Sequence, residues 1–200
     1  MKYFIIGLHS TGKQEVVDHL EKMGIKCGRI FSNIEEPSED IYNSRNYELY
    51  SNEDINNVFE NDAYIFIQEL PQTPLCFKAG KYYEGLSKYS LDQNDVFILS
   101  PDQLLAISPN ILANENICFV WLDSTKTRRV SRYHAEHRMY NYQNRENIER
   151  KDLGAFVKAI YAFNAPIIYF IDEEPSRVAT IIYTTINHPD TFEMFVKNFN

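Results

Sequence analysis

The chain has 200 residues, of which 44% are hydrophobic and 24% charged, a composition typical of one packed domain and unlike that of disordered or repetitive chains. Its formal net charge of −8 disfavours binding to nucleic acid or to an anionic membrane, because both require clustered Lys and Arg. The three cysteines fit neither a disulfide framework nor a zinc site, and no apolar run has the length of a signal peptide or a membrane span, so we expect a cytoplasmic protein.

The first predicted elements are a strand, a loop and a helix. An apolar run over residues 2–6 ends at Gly7, and the next segment carries Val16 and Leu20 at helical spacing. Residues 25–31 follow as a second predicted strand. This order is typical of the first unit of an α/β fold.

Residues 33–92 are predicted to form an inserted lobe within a single domain of residues 1–200. The pattern predicts a short helix over residues 53–60 and β-like runs over residues 63–70 and 74–78. The lobe is therefore expected to be small, rich in β-structure and partly exposed.

Near-continuous apolar runs return after the insertion, as in the buried strands of a parallel sheet. The predicted strands are residues 96–99, 117–122 and 166–171. Two helices are predicted within residues 124–163, and a last helix over residues 175–186 begins with a proline. With the first two strands, these runs predict a parallel sheet of about five strands.

The loop after the first strand carries a phosphate-binding pattern. Residues 7–13 read Gly-Leu-His-Ser-Thr-Gly-Lys, which fits glycine, four residues, glycine and lysine between a strand and a helix. Such glycines let successive backbone N–H groups face one anion, while Lys13 reaches the outer phosphates. The alternative is an ordinary turn with a solvated lysine. The predicted ATP contacts are Gly7, Ser10, Thr11, Gly12, Lys13 and Gln14, in a three-layer α/β/α P-loop NTPase fold.

Gln14 stands where this pattern normally has a Ser or Thr whose hydroxyl holds Mg²⁺. A glutamine amide oxygen can contact the metal or a metal-bound water, but its longer side chain needs a different geometry. We expect Mg²⁺ to accompany ATP, with Gln14 as a weak metal contact. The substitution weakens the prediction of turnover more than that of nucleotide binding.

Three later motifs are similar to those of a known family. Residues 47–55, Tyr-Glu-Leu-Tyr-Ser-Asn-Glu-Asp-Ile, resemble Asp-Tyr-x-Phe-Val-Ser-x-Glu-Glu-Phe. Residues 80–85, Gly-Lys-Tyr-Tyr-Glu-Gly, resemble Gly-Asn-x-Tyr-Gly, and residues 96–102 resemble a Leu-Asp-x-Asp strand end. With the loop at the start, the chain resembles the guanylate kinase-like P-loop proteins, and their compact phage and prophage branch in particular.

The resemblance implies a kinase that moves the γ-phosphoryl group of ATP onto GMP or dGMP held by the inserted lobe. It implies that Tyr47 and Tyr83 bind the acceptor phosphate, as phenol hydroxyls can. It also implies that Ser32 and Asp102 face the acceptor base. The alternative for the two tyrosines is that they are amphipathic residues at the edge of the core.

The chain departs from the family at the acceptor site. Glu36 and Glu39 stand where the family has arginines that clamp the acceptor phosphate, and carboxylates would oppose a dianion there. The family's base-reading Glu falls on either Phe66 or Glu69. The cations nearest in sequence that could offset the two carboxylates are Arg29, Arg45, Lys78 and Lys81.

An arginine-rich segment, residues 124–152, is predicted to form a helical lid over the ATP phosphates. Arg129 and Arg132 are spaced to share one helix face. Guanidinium groups neutralise the charge that develops on a transferring phosphoryl group without acid–base chemistry. The alternative is a solvated helix pair whose arginines pair with nearby glutamates. The predicted catalytic residues are Lys13, Arg129, Arg132, Arg138, Arg145 and Arg150.

Two functions follow from the sequence. The first is a nucleoside monophosphate kinase with ATP and Mg²⁺ as donor. The second is a guanylate kinase-like module with weak or no catalysis that binds a nucleotide or a protein, which Gln14, Glu36 and Glu39 favour. A regulatory GTPase is disfavoured because the chain has no Asn-Lys-x-Asp motif.

Overall fold

The computed structural model of the chain describes residues 1–33, 47–61, 63–70, 81–113, 115–135 and 153–196. The elements of the first half are β1 Lys2–Ile6, α1 Lys13–Lys22, β2 Ile30–Ser32, β3 Tyr47–Leu49, α2 Asn52–Glu60, β4 Tyr64–Glu69, β5 Tyr83–Ser87 and α3 Lys88–Gln93. Those of the second half are β6 Val96–Leu99, α4 Pro101–Ala106, β7 Ile117–Asp123, α5 Lys126–Ala135, α6 (residues 153–162), β8 Ile167–Ile171 and α7 Pro175–Asn187. Short 3-10 helices span Pro109–Leu112 and Pro189–Met194.

The main sheet is parallel and has the order β6-β1-β7-β8. Strand β6, the next strand of this sheet in chain order, pairs with one edge of β1, and β7 pairs with the other edge. Ile6 at the end of β1 is opposite both Leu99 and Trp121, so these three strands end at one edge. Ligands of open α/β sheets bind at this carboxyl edge, where the strand order switches. The loop after Ile6 therefore lies at the switch point.

Helices cover both faces of the main sheet. Successive strand residues point to opposite faces. Tyr3 and Ile5 accordingly join a core cluster with residues of α1 and α7. Phe4 and Ile6 join the other cluster, with residues of α4 and α6. The result is a mixed α/β fold in three layers.

A second, mixed sheet has the order β3-β2-β5-β4. Strand β2 pairs in parallel with β3 and antiparallel with β5, and β5 pairs antiparallel with β4. Ile30, Phe66 and Leu86 of this sheet lie in the same core cluster as Phe4 and Leu104. The second sheet is thus packed onto the main domain through shared apolar residues.

The main sheet has four strands in the part of the chain that the structure describes, so the prediction of about five is not confirmed. Where a fifth strand was expected, Cys27 makes one isolated parallel bridge to Val96, and Gly28 N donates to Val96 O at 2.8 Å. The chain then moves into the second sheet, because β2 finds a partner there on each of its two edges. Pairing on both edges satisfies more backbone groups than a place at one edge of the main sheet.

Local signals explain most element boundaries. Ser51 begins α2 with a capping box, since its side chain accepts from Asp54 N while Asp54 accepts from Ser51 N. Ser100 does the same for α4 with Gln103. The sequence missed β5, which contains Gly85 and Glu84 rather than a run of β-branched residues.

The two helices predicted within residues 124–163 correspond to α5 and α6, and the residues between them lie outside the described part. The β-like run predicted over residues 74–78 lies outside it as well. Within the described ranges, no helix is both long and apolar enough to cross a membrane.

Candidate functional site

The loop of residues 7–13 joins β1 to α1 at the carboxyl edge of the main sheet. Gly7 has a φ of 149°, and a Cβ added there would lie 2.3 Å from the carbonyl oxygen of Leu122. Gly12 has a φ of 92° and is the N-cap of α1. Glycine is therefore needed at both positions, at the first because the backbone approaches β7 and at the second because the conformation is left-handed. The turn directs the N-terminus of α1, with its partial positive charge, to the sheet edge.

Lys13 lies across this loop. Its Nζ donates to the carbonyl oxygens of Gly7 at 2.8 Å and Leu8 at 2.7 Å. Thr11 Oγ1 also donates to the Leu8 oxygen, at 2.9 Å. The ammonium group thus lies over the loop backbone, where an anion bound at the helix N-terminus would meet it.

Two polar atoms of the predicted loop site are buried without a hydrogen-bond partner in the described structure, Ser10 Oγ and Gln14 Oε1. Ser10 is 9% exposed and has a φ of 56°, a left-handed conformation that few non-glycine residues adopt. Gln14 Nε2 donates to Asp18 Oδ1 at 2.8 Å, and this contact orients the amide group. An unsatisfied buried polar atom is costly, so both atoms can bind a ligand of the loop or an ordered water.

Helix α5 brings Arg132, one of the predicted lid arginines, to this loop. A Cβ added at Gly12 would lie 3.2 Å from the guanidinium carbon of Arg132, and Arg132 Nε is 4.0 Å from Glu15 Oε1. Arg129 is buried, with 6% of its surface exposed. The ring of Tyr133 also makes an edge contact with His9, at a centroid distance of 5.7 Å. The first turns of the predicted lid therefore contact the loop directly.

The start of α5 is anchored to the loop after β8. Asp172 Oδ1 accepts from Ser124 Oγ at 2.7 Å and from Thr125 N at 2.9 Å. Arg128 donates to the carbonyl oxygen of Asp172 and pairs with Glu174 at 2.6 Å. The hydrogen bond from the Ser124 hydroxyl, followed by that from Thr125 N, lowers the pKa of Asp172. These contacts anchor the N-terminal end of α5, the helix that carries Arg132.

A shallow pocket lies beside the loop, between α5 and the start of α7. Its lining includes Thr11, Asp123, Arg132, Asp172 and Pro175. Tyr169 OH donates to Asp123 Oδ2 at 2.9 Å, and burial raises the pKa of Tyr169 to about 12. Val16, Leu122, Phe170 and Val178 also line the pocket, so polar and apolar side chains meet next to Arg132.

One face of the second sheet carries the other predicted site residues. Ser32 on β2 is opposite Glu84 on β5, and Glu84 is opposite Gln68 on β4. Tyr47 on β3 is opposite Ile30, two residues before Ser32, so Tyr47 lies on the same face. We call Tyr47, Gln68, Glu84 and Gln103 of α4 the Glu84 cluster.

Hydrogen bonds hold the Glu84 cluster together. Glu84 Oε1 accepts from Gln68 Nε2 at 2.5 Å, and Oε2 accepts from Gln103 Nε2 and Tyr47 OH, both at 3.1 Å. Glu84 is 4% exposed, and burial raises its pKa although these three hydrogen bonds oppose the rise. Tyr47 and Gln68 are half-buried and form the outer edge of the cluster.

Tyr83 and Glu69, predicted to act with Tyr47 and Ser32, lie on the opposite face of the sheet. They are opposite each other in the register of β4 and β5. The Tyr83 ring makes an edge contact with Phe59 of α2, and Glu69 is exposed and pairs with Lys81 at 3.3 Å. Because side chains alternate along a strand, the sheet does not bring these residues together with Tyr47, and their role in an acceptor site stays a prediction. The polar residue at the end of β4 that does face Ser32 and Glu84 is Gln68.

Some of the remaining predicted residues lie in the described part of the chain and the others lie outside it. Ser32 is buried, and its Oγ donates to the carbonyl oxygen of Tyr83 at 3.0 Å. Asp102 lies exposed in the first turn of α4, and its charge raises the pKa of Glu84 further. Arg29 is exposed. The residues that lie outside the described part are Glu36, Glu39, Arg45, Arg138, Arg145 and Arg150.

Sequence reasoning missed Glu84, Gln68 and Gln103. The motif of residues 80–85, which contains Glu84, predicts a role only for its tyrosine, and the family resemblance points to Glu69 instead of its neighbour Gln68. A strict two-residue alternation from Phe66 would have placed Gln68 on the core-side face. Among the described residues, no group of three His, Cys, Asp or Glu side chains could hold a metal ion.

No protein-family profile and no curated protein matches the chain. Among solved structures, it is similar to the crystal structure of guanylate kinase from Anaplasma phagocytophilum. The two share 11% sequence identity over 94% of this chain and 85% of that one, with a TM-score of 0.49. The phage-type branch that the motifs resemble stays a prediction.

Proposed function

We propose that the chain binds ATP with its phosphates at the loop of residues 7–13 and transfers the γ-phosphoryl group to a nucleoside monophosphate, with GMP or dGMP as the first candidates. The observation that carries this proposal is the convergence of Lys13 and Arg132 on the N-terminus of α1. Two cations beside a positive helix end repel one another. Glu15 offsets this at 4.0 Å from Arg132, and a polyphosphate between the cations would offset it far more.

The buried atoms of the loop support the same ligand. Ser10 Oγ can donate to a phosphate oxygen. The loop backbone that follows Gly7 leads into the N-terminus of α1 at Gly12, where N–H groups can bind an anion. The partner of Gln14 Oε1 in this proposal is Mg²⁺ or a water bound to it. The metal would supply charge neutralisation on the outer phosphates. Gln14 fits as a contact because its amide oxygen is buried and has no hydrogen-bond partner in the described structure.

Arg132 and Arg129 are the proposed source of charge stabilisation during transfer. Phosphoryl transfer needs positioned positive charge and little acid–base chemistry. Arg132 is in place through the anchoring of α5 by Asp172 and Arg128. The proposed acceptor lies toward the second sheet, where Ser32 and Tyr47 share a face near α4.

A coupled assay of ADP release tests this function. Wild type is supplied with ATP, Mg²⁺ and each ribo- and deoxynucleoside monophosphate in turn, and Lys13→Met is the matched control. We expect ADP release that requires the acceptor and falls at least a hundredfold in the variant. Release that is independent of acceptor, or equal in the two proteins, would contradict the proposal.

A second candidate is a module that binds a nucleotide with little turnover. One observation favours it: the hydroxyl of Tyr47 is engaged by Glu84. If the chain binds ATP but releases no ADP with any nucleoside monophosphate, the binding module and not the kinase is supported. Thermal shift with ATP and Mg²⁺ measures that binding independently of catalysis.

A further inference from the structure

We propose that Glu84 is a specificity-determining residue of the acceptor site: its carboxylate accepts the hydrogen bond of the Tyr47 hydroxyl and thereby lowers the affinity of the site for a phosphate dianion. Glu84 acts through Tyr47, so it is a positioning residue and not a catalytic one. The inference rests on the proposed function, since it assumes that the acceptor binds beside Tyr47.

The argument begins with the single proton of the Tyr47 hydroxyl. A phenol can donate one hydrogen bond, and Tyr47 donates it to Glu84 Oε2 at 3.1 Å. A carboxylate and a phosphate dianion are both hydrogen-bond acceptors, so they compete for the one hydrogen bond that the Tyr47 hydroxyl can donate. A phosphate that uses Tyr47 must therefore displace Glu84 or bind while Glu84 is protonated.

The Glu84 carboxylate is held firmly in this competition. Gln68 and Gln103, on β4 and α4, donate to its two oxygens and fix its position. At 4% exposure the carboxylate cannot turn out into water. Displacing Tyr47 would remove one of three hydrogen bonds that a buried carboxylate needs, which is unfavourable.

Among the described residues of this face, the other predicted groups do not compensate. Tyr83 is on the opposite face against Phe59, and Ser32 Oγ donates to the Tyr83 carbonyl oxygen. Asp102, on the first turn of α4, adds a second negative charge near Glu84. A phosphate dianion at Tyr47 would therefore meet two carboxylates, and like charges at short range repel most strongly in a buried setting.

The first test is isothermal titration of GMP into wild type and Glu84→Gln at pH 8, without ATP. The amide has the same shape but no charge, and we expect GMP to bind at least about tenfold more tightly to the variant. The control ligand is guanosine, which lacks the phosphate and should gain less than twofold. Glu48→Gln is the control variant, because Glu48 is exposed on β3 beside Tyr47 and points to the other face.

A double-mutant cycle assigns the effect to Tyr47. Tyr47→Phe should change GMP affinity by less than twofold in wild type, where the hydroxyl is engaged by Glu84. In the Glu84→Gln background the same change should remove most of the gain. A purely structural role of Glu84 would not produce this dependence on background.

A pH profile provides a readout that needs no catalysis. Among the described residues, Glu84 is faced by Tyr47 on β3, Ser32 on β2, Gln68 on β4 and Gln103 on α4, and the charge of Asp102 on α4 acts on it as well. Protonated Glu84 carries no charge and is a weaker acceptor for the Tyr47 hydroxyl. The GMP affinities of wild type and Glu84→Gln should therefore converge as the pH falls through the pKa of Glu84. The ratio of the two affinities cancels the titration of GMP itself.

Three outcomes would overturn the inference: equal GMP affinity in wild type and Glu84→Gln, no binding by either protein, or an equal gain for guanosine and GMP. Circular dichroism and melting of each variant show that it is folded. The proposed function has a separate test in ATP binding and ADP release by wild type. GMP turnover by wild type together with equal GMP affinity in Glu84→Gln would keep the kinase and remove the role of Glu84, whereas no ATP binding would remove the kinase.

Discussion

The guanidinium group of Arg132 lies against the backbone of Gly12, so that a Cβ at Gly12 would come within 3.2 Å of the Arg132 Cζ. Gly12 is the N-cap of α1, and Arg132 lies in the second half of α5. The contact joins the loop after the first strand to a helix that follows the third strand of the main sheet in chain order. It also gives Arg132 a defined place from which to act on a ligand of the loop.

Arg132→Ala should lower kcat/KM for phosphoryl transfer by about 10²- to 10³-fold, because the positive charge is needed most where negative charge builds on the transferring group. The dissociation constant of ATP should change less than tenfold. Single-turnover kinetics and titration with ATP measure the two quantities separately. Lys22→Ala removes an exposed positive charge from α1 as a control. Equal kinetics in both variants would mean that Arg132 has no role in phosphoryl transfer.

Lys13→Met should remove most of the stabilisation by ATP and Mg²⁺ while the fold survives. A ligand at a hundred times its dissociation constant stabilises a protein by about 2.7 kcal/mol, and this should be nearly lost. The unliganded variant should lose only about 1 kcal/mol, from the hydrogen bonds to Gly7 and Leu8. Thermal melts with and without ligand check both values. A shift that matches that of wild type would show that the nucleotide binds elsewhere.

Gly7→Ala should lower the free energy of unfolding by about 3 kcal/mol, because the new Cβ would collide with the backbone oxygen of Leu122. Gly24→Ala is the matched control. Gly24 has a φ of 83°, but a Cβ there meets no atom within 4 Å. The control should cost about 1 kcal/mol from backbone strain alone. Urea denaturation distinguishes the two, and equal losses would mean that the approach of β7 does not constrain the loop.

Asp172→Asn should lower the melting temperature at pH 7 and have little effect near pH 2. The Ser124 hydroxyl and Thr125 N–H lower the pKa of Asp172 in the folded state. A carboxyl group with a lowered pKa stabilises the fold above its ordinary pKa, about 3.9, and this stabilisation is lost as the pH falls through the native pKa. Melts over this pH range test the dependence, with Asp190→Asn as an exposed control. A loss that is independent of pH would contradict the electrostatic origin.

The loop site was predictable from the sequence because its signals are local. The spacing of Gly7, Gly12 and Lys13 between an apolar strand and an amphipathic helix is a property of one short segment. The structure has β1, the turn and α1 in these places. The caps at Ser51 and Ser100 are local in the same way, since a capping box spans four residues. What these residues bind stays a proposal.

The acceptor side could not be predicted in the same way, because it depends on strand register. A shift of one residue moves a side chain to the other face of a sheet. The sequence placed Tyr47 with Tyr83 and Glu69, whereas pairing across β3, β2, β5 and β4 places it with Glu84 and Gln68. Nothing within β5 alone indicates which face of that strand is buried.

The sequence by itself determined the order of the main-sheet strands β1, β6, β7 and β8 and the position of the first loop, because apolar periodicity, glycines and caps act within a few residues. Tertiary structure decided that residues 30–32 join the second sheet, that Arg132 reaches Gly12, and that Glu84 engages Tyr47. Each of these joins segments far apart in the chain. Such contacts form only where burial and backbone pairing of the whole fold bring the segments together, and no local pattern encodes them.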